Sequence, residues 1–326
     1  MADPRVELTR RIMGFMVSAA VYAVTKLDIA GILREGTASV EELAQATGSD
    51  VDALYRVLRM LAAHGIFVET DPRAFANTDV SSLLADEFRD FALVFGEEFY
   101  AAFDELPRTL RDRTPAFEAF RGKTFYAHLA SDPEASEQFN RFMAGGREGH
   151  AAHLAESPGV RRDSIVVDVG GGNGALLIGL LERRSDVRGV VLDLPHVAAE
   201  AADRVRAAGV ADRCEVVAGD FFDGVPAGGD VYVLSGILHG WERDGAAEIL
   251  RNVRRAIADD GRLFIFESLV APANEPGGKL MDVLMLAVSG GRERTEAEWR
   301  ALLAATGFEL MAIDTDQPFV LEAVPR

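Results

Sequence analysis

The chain has 326 residues, enough at about 150 per domain for two domains with buried cores. Apolar residues make up 48% and charged residues 26%, the balance of a globular chain, which excludes disorder as the main state. Acidic side chains outnumber basic ones 52 to 34, and a net charge of −18 repels phosphate backbones and anionic lipid surfaces, so neither nucleic acid nor membrane is an expected partner.

The N-terminal stretch reads as amphipathic helix, with Leu8, Ile12, Phe15, Met16, Val21, Val24 and Leu27 recurring at helical intervals. Its apolar run from Ile12 to Val24 is too short to span a bilayer, and no signal peptide is visible. Ser39 and Glu42 have capping-box spacing and predict a helix to about Thr47. Gly48 breaks it, Asp50 caps the next helix, and Val51, Leu54, Val57, Leu58 and Leu61 give that helix one apolar stripe. Runs at 65–69 and 73–77 flank an Asp71-Pro72 turn, completing the pattern of a winged helix-turn-helix. The presumptive recognition helix carries Arg56 and Arg59 against Asp50 and Asp52, too little positive charge for DNA, so a packing or dimerisation module is expected.

Residues 1–150 read as mainly helical, and from Ser164 the texture changes. Strands are predicted at 165–169, 189–192, 214–218, 231–234 and 262–267, separated by helices at 175–183, 197–208 and 246–258. Such alternation means a parallel sheet with helices on both faces. A helix at 296–305 and strands at 308–314 and 318–323 close the chain with a hairpin. The single cysteine, Cys214, cannot form an internal disulfide, and no Cys/His cluster has zinc-finger spacing, so a cytoplasmic protein without a metal is expected.

The first of these strands runs into Asp168-Val169-Gly170-Gly171-Gly172-Asn173-Gly174, then a helix. Glycines there allow positive φ and close approach of a ligand, and the helix N-terminus offers free N–H groups. The second strand ends at Asp193, where a ribose diol would lie, and the third at Gly219-Asp220-Phe221-Phe222, with a carboxylate for an exocyclic amine and rings to flank an adenine. Singly, each could be a turn glycine, a helix cap or core filling; three successive strand ends together describe one adenosine site.

These motifs, with Ile237-Leu238-His239-Gly240-Trp241 and Gly290-Gly291-Arg292-Glu293-Arg294-Thr295, resemble in order those of S-adenosylmethionine-dependent small-molecule O-methyltransferases. That family comprises the plant caffeate and flavonoid type and bacterial enzymes of phenolic, phenazine and aromatic polyketide pathways. The resemblance implies an α/β fold: a Rossmann-like sheet with helices on both faces, plus a mainly helical winged-helix dimerisation domain that makes the enzyme a homodimer. The expected division is 1–95 for dimerisation, 96–160 as a helical segment covering the substrate, and 161–326 for cofactor binding and catalysis.

The resemblance further implies that Gly170 and Gly172 approach the methionine part of S-adenosylmethionine, that Asp193 holds its ribose, and that Gly219, Asp220 and Phe221 border its adenine. Ser235 stands at the fourth strand end, where plant relatives usually carry lysine and bacterial ones resemble this serine. His239 matches the general base, and Glu267 and Glu293 match the acids that position it. Phe142 and Met143, in the helical run from Phe139, resemble the segment over a small aromatic or polyketide-type substrate, joined by Tyr126 and Trp241, in a pocket between the two halves. The other histidines, His64, His128, His150, His153 and His196, show no chelate spacing and read as surface or linker residues.

The sequence departs from the family at Gly240, where relatives usually carry aspartate, which leaves a roomier or less polar pocket. Two other readings stay open at this point: a family member that holds the cofactor but performs hydroxylation or pericyclic chemistry, and a cofactor-sensing regulator using the winged helix. A nicotinamide oxidoreductase is disfavoured, because the glycines lack the G-x-G-x-x-G spacing that seats a pyrophosphate.

Overall fold

The computed structural model describes residues 3–315 and 319–326. Pro318, the expected start of the last strand, lies outside the described residues. The chain divides into two compact units, Met1–Ala101 and Ala102–Arg326.

In the first unit, Ser39 accepts the Glu42 N–H while the Glu42 carboxylate takes the Ser39 N–H at 2.8 Å, so the capping box starts the helix Val40–Thr47. Gly48 ends that helix in the left-handed region, and Asp50 caps Val51–Ala63 by accepting from Ala53 N at 2.9 Å. Strands β1 (Ala38–Ser39), β2 (Phe67–Asp71) and β3 (Ala74–Asn77) form an antiparallel wing in the order β1-β3-β2. Leu43, Leu54, Leu58, Leu61, Phe67 and Phe75 make its buried core. The long first helix, Pro4–Lys26, buries Ala20 and Val24 but leaves Val6, Leu8, Ile12, Met13, Phe15 and Met16 exposed.

The second unit opens with helices that include Phe125–Ser131, Pro133–Ala144 and Arg147–Glu156. Its sheet comprises β4 (Ile165–Val169), β5 (Arg188–Asp193), β6 (Cys214–Ala218), β7 (Val231–Ser235), β8 (Arg262–Phe266), β9 (Phe308–Asp314) and β10 (Val320–Pro325). The order is β6-β5-β4-β7-β8-β10-β9, parallel except that β10 runs antiparallel to both neighbours. Alternate residues serve opposite faces. Val167, Tyr232 and Ile265 pack with helices Arg243–Ala256 and Glu296–Ala305, while Val166, Val233 and Phe264 pack with Arg147–Glu156, Ala175–Arg183 and Pro195–Ala207. Because β4 to β8 are parallel and in step, the turns after β4, β5, β6 and β7 emerge at one edge, where their polar residues converge. The sequence reading did not anticipate the helix Lys279–Val288.

Candidate active site

The turn after β4 uses glycine for its backbone. Gly170 and Gly172 have φ of 70° and 59°, a region that side chains resist, and a Cβ on Gly172 would meet nothing within 4 Å. The Asp193 carboxylate at the end of β5 accepts from Gly172 N at 2.8 Å and Leu194 N at 2.7 Å. Burial pushes the Asp193 carboxyl upward, against the pull of those two bonds. Gly219 N donates to Asp193 O at 2.9 Å, locking the end of β6 to that of β5, and Asp220 accepts from Phe222 N at 2.8 Å. Phe221 and Phe222 meet edge to face, and Asn252 holds both of their carbonyls.

Beside this turn a buried carboxyl lies near a part-buried guanidinium. Asp168 is buried, and its Oδ1 has no hydrogen-bond partner among the described residues. Burial raises its carboxyl to about 7, opposed by the Arg147 guanidinium. Arg147 donates to Ser235 O at 2.7 Å and to the Ser235 hydroxyl, which also meets His150 Nδ1 at 2.8 Å. Burial lowers the Arg147 pKa, while Asp168 and Glu267 support the charge. An α-amino acid zwitterion has the complementary pair of charges, and the buried Asp168 oxygen without a donor suits an ammonium group. The residues present therefore fit S-adenosylmethionine: this charge pair for its methionine end, Asp193 for a ribose diol, and Asp220 with Phe221 for the adenine.

His239 sits in the short turn Leu238–Gly240 after β7. Its Nδ1 is 2.7 Å from Glu293 Oε1, and the Glu293 side chain is fully buried. Glu267 Oε1 accepts the backbone N–H groups of Ile237, Leu238 and His239, capping the turn from one side. Arg294 grips it from the other, donating to Leu238 O at 3.0 Å and Trp241 O at 2.8 Å, with its guanidinium over the Trp299 ring. A Cβ on Gly291 would lie 2.0 Å from His239 O, so only glycine lets the two backbones approach this closely. Burial alone would lower the His239 pKa, but the bond to Glu293 and the charges of Glu267 and Glu293 outweigh it and raise the value. With Nδ1 engaged, Nε2 is the nitrogen left to act as a base. It lies 3.8 Å from where a side chain on Gly236 would begin, as Met143 Cε does at 3.2 Å and Arg147 Nη2 at 3.5 Å.

Tyr126 stacks on Trp241 with centroids 5.6 Å apart and planes at 11°, and Trp241 meets Phe222 edge to face at 4.7 Å. Phe142 packs beside Phe139 at 5.9 Å. The structure thus brings His239, Glu267, Glu293 and Met143 together, joins Tyr126 to Trp241, and sets Gly170, Gly172, Asp193, Gly219, Asp220 and Phe221 at adjoining strand ends. His239, Glu267 and Glu293 also offer ligand atoms within 4.8 Å of one another, close enough to hold a metal ion.

Two histidines differ from the sequence expectation. His128 is buried, and His150 stacks on Phe266 at 4.3 Å while bonding Ser235, because their helices turn these faces inward. Arg147 escaped the sequence reading. Its only local signal is an arginine one helical turn before His150, directly after Gly145 and Gly146.

Family models match the two units in turn: an O-methyltransferase dimerisation domain over residues 9–87 and an O-methyltransferase domain over 103–309. The phenazine O-methyltransferase PhzM of Lysobacter antibioticus is 40% identical over 308 residues, 93% of this chain and 90% of that protein. The 3-amino-4-hydroxybenzoate 4-O-methyltransferase of Streptomyces cremeus is 37% identical over 93% of this chain and 84% of its own. Among solved structures, the O-methyltransferase NcsB1 from neocarzinostatin biosynthesis, in complex with S-adenosylmethionine and 2-hydroxy-5-methyl naphthoic acid, superposes with a TM-score of 0.82. It is 32% identical, with 95% of this chain and 96% of NcsB1 covered. The chain belongs to the S-adenosylmethionine-dependent O-methyltransferase family.

Proposed function

We propose that the enzyme methylates a hydroxyl group on a small aromatic natural product, with His239 as the general base. The observation that carries this reading is the 2.7 Å contact between His239 Nδ1 and Glu293 Oε1, which leaves Nε2 free on the cleft side beside Met143 and Arg147. The relatives named above act on a phenazine and an aminohydroxybenzoate, and NcsB1 holds a naphthoic acid, which supports an aromatic acceptor.

When bound, S-adenosylmethionine supplies an electrophilic methyl group on a sulfonium. Gly170, Gly172, Asp193, Gly219, Asp220 and Phe221 would hold it, with Arg147 and Asp168 at its amino acid end; Ser235 accepts from Arg147 and so fixes it. His239 would take the hydroxyl proton onto Nε2 as the C–O bond forms and the C–S bond of the sulfonium breaks, with S-adenosylhomocysteine as the leaving group. A phenol near ~10 facing an imidazole near ~6.5 leaves about 5 kcal/mol to climb if the proton moved first. Glu293 and Glu267 narrow that gap by raising the imidazole, and coupling proton removal to bond formation avoids the intermediate state. Trp241, Tyr126, Phe142 and Met143 wall the acceptor from water, which strengthens each of these interactions.

The exposed apolar face of the first helix supports a homodimer built through residues 1–95, with 96–160 as the covering segment. No single helix among the described residues is long and apolar enough to cross a membrane, and a cytoplasmic enzyme is part of this reading. The test is mass spectrometry of products from a panel of phenols, hydroxynaphthoates and hydroxyphenazines with a trideuteromethyl cofactor. A gain of one labelled methyl on oxygen is expected. Labelled methyl found only on nitrogen, or no transfer to any aromatic hydroxyl, contradicts the proposal.

A further inference from the structure

Residue 240 is where the chain departs from the motif it otherwise follows, and another side chain stands in the space. A Cβ on Gly240 would lie 2.7 Å from the Tyr126 hydroxyl oxygen, with the nearest ring carbons at 3.7 and 4.0 Å. The hydroxyl, not the ring, occupies the volume of a side chain at 240. Tyr126 has little room to yield, because its ring is stacked on Trp241 and met edge-on by Phe125 at 5.6 Å. Partial burial, then the charges of Glu267 and Asp193, push its phenol upward, so it stays protonated and can donate. The residue is 38% exposed, and its hydroxyl makes no hydrogen bond to another described residue.

We propose that Tyr126 selects the acceptor: its hydroxyl replaces the missing side chain of residue 240 and donates a hydrogen bond to a neutral ring nitrogen or carbonyl oxygen beside the hydroxyl to be methylated. The proposal rests on reading this cleft as the site of O-methyl transfer. A carboxylate substituent is disfavoured at that point, since the charges of Glu267 and Asp193 already reach Tyr126. An aspartate at 240 would add a third carboxylate and would collide with the phenol.

The test is calorimetric titration of the complex with S-adenosylhomocysteine, in the presence of a chelator, by 8-hydroxyquinoline and 1-naphthol. These phenols share one shape and differ by a ring nitrogen beside the hydroxyl. The wild type should bind 8-hydroxyquinoline about three- to tenfold more tightly, the range of one neutral hydrogen bond. Tyr126→Phe should bind the two alike. Gly240→Ala should also lose the preference, because its Cβ displaces the hydroxyl, whereas adding Gly240→Ala to Tyr126→Phe should change nothing further, since the ring carbons tolerate the new methyl. Equal binding by the wild type, binding of neither phenol, or a preference that survives Tyr126→Phe would overturn the proposal. Unchanged melting temperature and S-adenosylhomocysteine affinity establish that the variants are folded. Failure of the wild type to bind S-adenosylhomocysteine at all would count instead against the functional reading.

Discussion

His239 Nδ1 and Glu293 Oε1 stand 2.7 Å apart with the carboxylate side chain fully buried, so the imidazole is oriented and its proton-holding state favoured by the same contact. His239 must be neutral to accept a proton, and its raised pKa means kcat/KM climbs with pH through a value above the ordinary ~6.5. Glu293→Gln removes the charge that holds the proton, so the inflection should move to lower pH while the plateau rate falls. A pH–rate profile of both proteins checks this, and an unmoved inflection would rule out Glu293 as the orienting group.

Asp168 gives a second pH dependence. Its carboxyl is raised to about 7 in the fold by burial, so the folded state holds a proton that the unfolded chain releases above ~3.9. Stability of the free enzyme should therefore fall as pH rises from about 4 to 7, with a cost of at most about 4 kcal/mol at alkaline pH. Asp168→Asn should melt higher than wild type at pH 8 and lose that advantage at pH 4.5. Cofactor affinity should run the other way, tightening as pH rises through 7 in the wild type, because the ionised carboxylate is the form that meets an ammonium group. Thermal melts and calorimetry against pH measure both.

Arg294, itself buried, supports the His239 turn. It bonds the carbonyls of Leu238 and Trp241 on either side of the base, a fork that lysine cannot reproduce. Arg294→Lys should lower kcat by about 10-fold or more through the misplaced imidazole while leaving cofactor affinity within twofold. Both numbers come from steady-state kinetics and a binding titration; an unchanged kcat would show that the turn holds without the fork.

The helix Pro4–Lys26 carries the association prediction. Ile12 and Phe15 are 64% and 53% exposed, an apolar face of the kind that a second copy covers. The double change Ile12→Asp and Phe15→Asp should convert a dimer to a monomer in sedimentation at micromolar concentration. A dimer that persists would place the interface elsewhere.

Much of this was legible in the sequence because local rules and tertiary demands agree. The capping box at Ser39, the apolar stripe of Val51–Ala63 and the glycine turn after β4 each state their structure in a few residues. Glu267 and Glu293 were nameable from motifs, yet their division of labour was not: one caps backbone N–H groups, the other bonds the imidazole, and that depends on where β8 and the 290–295 turn end in space. Arg147 lay outside every motif because its role arises from a helix crossing the strand ends. Tyr126 read as one of several aromatic residues; only the packing of its hydroxyl against Gly240 sets it apart.

Whether His239 is the general base is decided by single-turnover methyl transfer with His239→Ala beside a binding titration with S-adenosylhomocysteine. The rate should fall by about 10²–10⁴-fold, the range of a positioned base, with a dissociation constant within twofold of wild type and a flattened acid limb. Near wild-type methylation by the folded variant across the accessible pH range would contradict that role.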